Sequence, residues 1–285
     1  MATARAKYTA NQVKLIRAIG GGKRPIKKIP PQLPPIPLER EYAKELLAII
    51  AETRAILADV IAAAPGLLES SNRARGDVRQ DAGESTKLRR LMDTARARLR
   101  AAMTSKRLED IARKFGTRTS IAQKAQLTKQ IKSALGVSVL QADKVIAPLM
   151  EGFIAQNVSL ITNLTESMAT GVETTIARSI QMGTTTRELA AELDGQFSGG
   201  LARAQRIARD QVGSMYGQVN AARQKDLGIT RFTWRTVGDD AVRDSHEALA
   251  DQVFSYDDPP GGILPGQEIF CRCSAEPLLS DLLEE

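Results

Sequence analysis

Apolar residues recur at three- and four-residue steps through most of this chain, the period of helices buried along one side. Between residues 41 and 64, Leu46, Ile49, Ile50, Thr53, Ile56, Leu57, Val60 and Ile61 make one such stripe, and Pro65-Gly66 predict its end. Residues 69–85 are polar and read as a loop. A second helix over 85–103 lines up Leu88, Leu91, Met92, Ala95, Leu99 and Ala102, with a break expected near Thr104-Ser105. Further helices follow up to Ser138, and residues 141–182 read as helical almost throughout, with Pro148 and Gly152 as points of kinking. At that length, roughly 60 Å, the segment could serve as a strut in an assembly. Gly183 ends it, and Thr185 with Glu188 forms a capping box for a short following helix.

The period changes after residue 228. Ala204, Ala208, Val212, Met215, Val219 and Ala222 form a last helical stripe, and Gly228 suits the left-handed cap behind it. Phe232, Trp234 and Thr236 then alternate with Thr233, Arg235 and Val237, a strand with one buried face. Asp239 or Asp240 can cap a helical turn that sets Arg243 beside His246. The run from Asp257 to Gly262 is loop chemistry, and a closing strand would carry Cys271, Cys273 and Ala275 on one face with Arg272 and Ser274 on the other. The fold class expected is mainly α with a small α+β C-terminal domain, a helix packed on a short sheet. Its parts are an extended arm over 1–40, a helical region over 41–183 and the compact domain over 184–285.

The polar face of the 204–226 helix carries Arg206, Arg209, Gly213, Gly217, Asn220 and Gln224. Two glycines inside a helix cost about 1 kcal/mol each against alanine, so another backbone should approach there. Arg209 and Asn220 would grip its carbonyls or a carboxylate. Nearby, His246, Cys271 and Cys273 offer three metal ligands, with Asp244 as a conceivable fourth. A Cys–His nucleophile pair is the other chemical option. The Cys-x-Cys spacing is tighter than the usual zinc pair, and the chain has one histidine. The favoured expectation is therefore two buried thiols and a hydrogen-bonded imidazole, with no metal, no cofactor and no catalysis.

Charge is unevenly placed in a chain of net +7. Residues 1–40 carry net +8 and 41–130 net +7, whereas 131–200 carry −3 and 201–285 carry −5. A basic front half suits an anionic partner. Within the Pro/Gly-rich leader, Lys23, Arg24, Lys27 and Lys28 are candidate DNA contacts, and so are Arg89, Arg96 and Arg100, which share one helix face. A helix-turn-helix over 111–138 is the weaker alternative. The N-terminus lacks the apolar core of a signal peptide, and no stretch of about 18 uncharged apolar residues predicts a membrane span. Two cysteines in one tripeptide exclude a disulfide framework and suit a reducing compartment.

Ile207–Gln211, Asn220, Gly228-Ile229, Trp234, Asp240-x-Val242-Arg243-x-x-His246, Phe254, Pro259-Pro260, Pro265-Gly266 and Cys271-Arg272-Cys273 together resemble the phage Mu F-like, or phage head morphogenesis, family of minor head proteins. The likeness covers roughly residues 105–280. Asp251 stands where a glycine is common in that family, and Phe270 where asparagine often precedes the CRC tripeptide. The resemblance implies a structural minor capsid protein of a tailed phage. It would lie in the head interior or at the portal vertex after assembly in the host cytoplasm. Implied partners are the portal protein, other head or scaffold proteins and non-specific double-stranded DNA, with no membrane in the assembled head. Roles in DNA packaging and genome ejection come with it. The competing reading is a metal-dependent nuclease or toxin-like enzyme centred on His246, Asp240, Asp244 and the Cys271/Cys273 pair.

Overall fold

The computed structural model describes residues 10–20, 33–73, 78–138 and 144–280. Among these are helices α1 (Ala10–Gly20), α2 (Ile36–Ile56), α3 (Ala58–Arg73), α4 (Val78–Ala102), α5 (Ser105–Leu135), α6 (Ala147–Met182) and α7 (Thr186–Asp226). Strand β1 (Arg231–Arg235), the one-turn helix α8 (Asp244–Glu247) and strands β2 (Val253–Ser255) and β3 (Ser274–Pro277) complete the order. The chain is mainly α with a small α+β part at the C-terminal end, as its periodicity predicts. It divides into two compact units, residues 1–39, 113–154 and 209–285 forming one and residues 40–112 and 155–208 the other.

In the second unit the expected stripe is buried at Leu46, Ile49, Ile50, Thr53, Leu57 and Val60. Pro65 does not stop it. The helix breaks earlier, at Leu57, and α3 then runs through Pro65 to Arg73. An interior proline costs roughly 3 kcal/mol; here Val60, Ala64, Leu67 and Leu68 are buried on one side of α3, and that packing outweighs the lost bond. The polar stretch expected as a loop over 69–85 is instead mostly helix. The break at 104–105 lies where predicted. On α6, Ile161, Leu164, Met168, Val172 and Ile176 are buried, and Tyr42 donates to Asn157 Oδ1 at 2.6 Å. By length and composition alone Lys144–Met182 is long and apolar enough to cross a membrane, where the sequence reading expected no such span; Asn157, Thr165, Thr175 and Ser179 are buried along it. The capping box forms, with Thr185 N and Oγ1 donating to Glu188 Oε2 at 2.7 and 2.9 Å. The helix it opens is not short: α7 continues unbroken to Asp226.

The first unit holds the sheet. β1 is central, antiparallel to both β2 and β3, with Phe232 opposite Phe254 and Trp234 opposite Ala275. Beneath it Leu127, Ile131, Leu227, Ile229, Phe232, Trp234, Tyr256, Cys271 and Cys273 form one apolar core. Leu15 of α1 belongs to that core and is fully buried. Residues 10–20 are thus a docked helix rather than part of an extended arm, because Leu15, Ile16 and Ile19 share one side of it. Lys23, Arg24, Lys27 and Lys28 lie outside the described residues. α5 is continuous from 105 to 135, so the turn that a helix-turn-helix needs is absent from it. Gly228 has φ +82°, and Ile229 N returns to Gln224 O at 3.1 Å, closing α7 as the sequence predicts.

Candidate functional site

The polar face of α7 is a docking face for the C-terminal loops, not a solvated one. A Cβ on Gly217 would lie 2.7 Å from Pro265 O, and one on Gly213 would lie 3.7 Å from Cys271 O. The close approach expected at these glycines is made by the backbone of the 265–271 loop. Asn220 donates to Ala275 O at 2.9 Å and accepts from Gln123 Nε2 at 2.9 Å and Gln224 Nε2 at 3.0 Å. Gln224 also donates to Ala275 O and accepts from Tyr256 Oη–H. Arg223, 1 % exposed, donates to Ser120 O at 2.7 Å and to Gln123 Oε1 at 2.5 Å. This buried network ties α5 to α7 and α7 to β3. Arg209 stays exposed, and its positive charge helps to stabilise the Asp239 carboxylate.

Two left-handed turns of this unit are held through their backbone N–H groups. Phe270, at φ 62°, has its N–H held by Asp210 Oδ1 at 2.9 Å. Asp251, at φ 63°, donates its N–H to Trp234 O at 2.9 Å. The two departures from the family pattern therefore fall on the two non-glycine residues with positive φ among those described. Such a conformation costs an ordinary side chain about 1 kcal/mol and asparagine or glycine less. Phe270→Asn is expected to raise the stability of this unit by about 0.5–1 kcal/mol, read as a higher urea midpoint of Trp234 fluorescence. Trp234 is the sole tryptophan and is buried in this core.

At the end of the loop three ligand-bearing side chains converge. His246 sits on α8, whose flanking Arg243 provides no side-chain cap. Asp239, not Asp240, organises the preceding turn, accepting Ala241 N–H at 3.2 Å and the guanidinium of Arg272. That guanidinium is the main reason the Asp239 carboxyl is held below the usual range. Asp240 and Asp244 are exposed. His246 Nε2 lies 3.0 Å from Glu268 Oε2, and Arg243 Nη1 donates to the same oxygen at 3.0 Å while Nη2 donates to Ile269 O at 2.6 Å. His246 Nδ1 lies 3.6 Å from Cys271 Sγ and 3.6 Å from Cys273 Sγ. Both cysteines are free and buried, as is His246.

The two thiols are not equivalent. The Cys273 side chain, then the N–H groups of Cys273 and Gly266, bring the Cys271 thiol down to about 6 against the opposing effect of burial. Cys273 is pushed up by its bond to Cys271 and by burial. The indole of Trp234 stands edge-on to the imidazole at 5.3 Å between centroids. Its N–H has no acceptor at hydrogen-bond distance and favours the Cys273 thiolate from nearby. A cleft of about 100 Å³ opens beside the cluster, lined by Val237, Val242, Arg243, Phe270 and Arg272 with the three ligands.

Of the candidate DNA contacts that are described, Arg89 and Arg100 are exposed. Arg96 is half-buried and paired with Glu173 at 2.8 Å. The structure brings the ligand atoms of His246, Cys271 and Cys273 within 4.8 Å of one another and sets Arg243 on the Glu268 carboxylate that His246 shares; sequence reasoning had grouped the first three and put Arg243 beside His246. It missed Glu268, which reads as an ordinary loop acid but holds the histidine, and it named Asp210 only within the Ile207–Gln211 motif, without its hold on the loop.

Residues 170–276 match the family model described as Phage Mu protein F like protein, which upholds the resemblance read from the motifs. An "Uncharacterized protein" of Haemophilus influenzae (strain ATCC 51907 / DSM 11121 / KW20 / Rd) is 27 % identical over 177 residues, covering 61 % of this chain. The match spans 40 % of that relative's length. No solved structure matches the chain.

Proposed function

We propose that this chain is a structural minor component of a tailed-phage head, acting in head morphogenesis without turnover. The observation that carries this reading is the match of the 170–276 segment to the Mu F-like family. The architecture agrees with it. The polar groups of the C-terminal module are turned inward onto its own loops, as at Asn220, Asp210 and Glu268. Its cleft, about 100 Å³, is smaller than the roughly 300–1,000 Å³ of small-molecule sites. Portal contact then falls to the helical region, and non-specific DNA contact to the basic leader with Arg89 and Arg100. This follows from the charge split between the basic front and the acidic back of the chain.

The DNA arm of the proposal is tested by charge removal. Deleting residues 1–40 would also strip Leu15 from the core, so substitution is the cleaner route. Changing Lys23, Arg24, Lys27 and Lys28 together to alanine is expected to weaken duplex DNA binding regardless of sequence. The slope of log affinity against log salt should shrink by about 0.9 for each phosphate that the leader no longer neutralises. An unchanged slope would remove the leader from the account.

A further inference from the structure

We propose that His246 Nδ1, Cys271 Sγ and Cys273 Sγ are three ligands of a single tetrahedral site for a borderline-soft divalent cation, with zinc the ion they fit. The inference stands on distances. Zinc bonds thiolate sulfur at about 2.3 Å and imidazole nitrogen at about 2.0 Å. At a tetrahedral angle those lengths place sulfur and nitrogen about 3.6 Å apart. Both Cys–His separations are 3.6 Å. The same geometry sets the two sulfurs about 3.8 Å apart, and all three ligand atoms lie within 4.8 Å of one another. Ion binding therefore asks for no more than about 1 Å of movement.

A neutral imidazole has one lone pair on its unprotonated nitrogen, so only one of the two thiols can donate to it and the other is left to its sulfur neighbour. One cation can satisfy all three atoms at once. The surroundings are those of a ligand set. Glu268 Oε2, 3.0 Å from Nε2, accepts the other ring proton and so fixes the tautomer that offers Nδ1. Backbone N–H groups of Gly266 and Cys273 point at Cys271 Sγ, each at 3.4 Å. Two thiolates and a divalent ion sum to zero charge, which suits a buried place. Loading displaces to solvent whatever protons the two thiols still hold, binds the imidazole through its free lone pair and changes no oxidation state. The cleft that the three ligands share with Val242 and Phe270 gives water a way to a fourth position. The ion would lock α8 to the 265–273 loop and so to α7.

Cobalt(II) serves as the spectroscopic probe on the full-length chain after chelator treatment. The expected result is one cobalt per chain, with near-ultraviolet thiolate-to-cobalt absorption and strong tetrahedral visible bands. Zinc should displace it, and loading should be accompanied by release of thiol protons. Cys271→Ser and Cys273→Ser should each abolish the charge-transfer band. Glu268→Gln, a change at a positioning residue, should weaken affinity 10- to 100-fold while leaving the band shape intact. If the serine variants do not fold, the wild-type band and the proton count decide. A wild-type chain whose Trp234 fluorescence reports a native core but which takes up no cobalt would overturn the proposal. A band that survives serine at both cysteines would do the same.

Discussion

Alanine at Gly217 is expected to destabilise the sheet-bearing unit by about 2–3 kcal/mol, whereas alanine at Gly213, one turn away on the same face, should not. On propensity alone both changes ought to stabilise α7, each by about 1 kcal/mol. Contact with the loop separates them. At Gly217 the new methyl meets a backbone oxygen, Pro265 O, at 2.7 Å, with Gly266 Cα at 3.3 Å behind it. At Gly213 the nearest atom is Cys271 O at 3.7 Å, an ordinary contact. A rigid backbone cannot swing aside as a side chain would, so at Gly217 the 265–271 loop has to lift. Urea midpoints from Trp234 fluorescence should move down for Gly217→Ala and stay level or rise for Gly213→Ala. Equal midpoints for both would mean the loop does not press on the helix as the geometry requires.

The second large effect lies at Asn220. Asn220→Ala removes a donor to Ala275 O and the acceptor shared by Gln123 and Gln224, all buried. Leaving buried amides without partners costs about 1–3 kcal/mol per group. Gln224 still serves Ala275 O, which limits the damage there. The expected loss is about 3 kcal/mol, enough to lower the midpoint of the same fluorescence transition well outside error. A midpoint unmoved by this change would show that the network adds nothing net to stability.

What could be read from the residues alone was whatever depends on local pattern. The stripes of α2 and α4, the helical run of α6, the 104–105 break, the capping box and the Gly228 cap all follow from spacing and turn chemistry. The β1 strand is legible because Phe232 and Trp234 alternate with polar neighbours. β2 is three residues long and has no alternation to detect, so it exists only through its pairing with β1. α1 hides because three apolar residues sit in a basic, glycine- and proline-rich context. Pro65 misleads because burial of Leu67 and Leu68 beats a local rule. At the site, glycines in a helix interior announce that a backbone comes close, but which backbone depends on tertiary placement. Glu268 carries no local signal, and Asp210 sits in a legible motif without a legible role; both roles arise only when the loop folds onto α7. Asp251 and Phe270 are the converse case, since their departure from the family pattern marks the two strained turns.

The central claim, a structural place in a phage head, is tested most directly by quantitative mass spectrometry of purified proheads and mature heads assembled with this chain. The account predicts the chain in those particles at a few copies each, co-purifying with the portal ring when heads are disrupted. Heads that assemble, package DNA and infect normally with the chain absent from every particle fraction would contradict it.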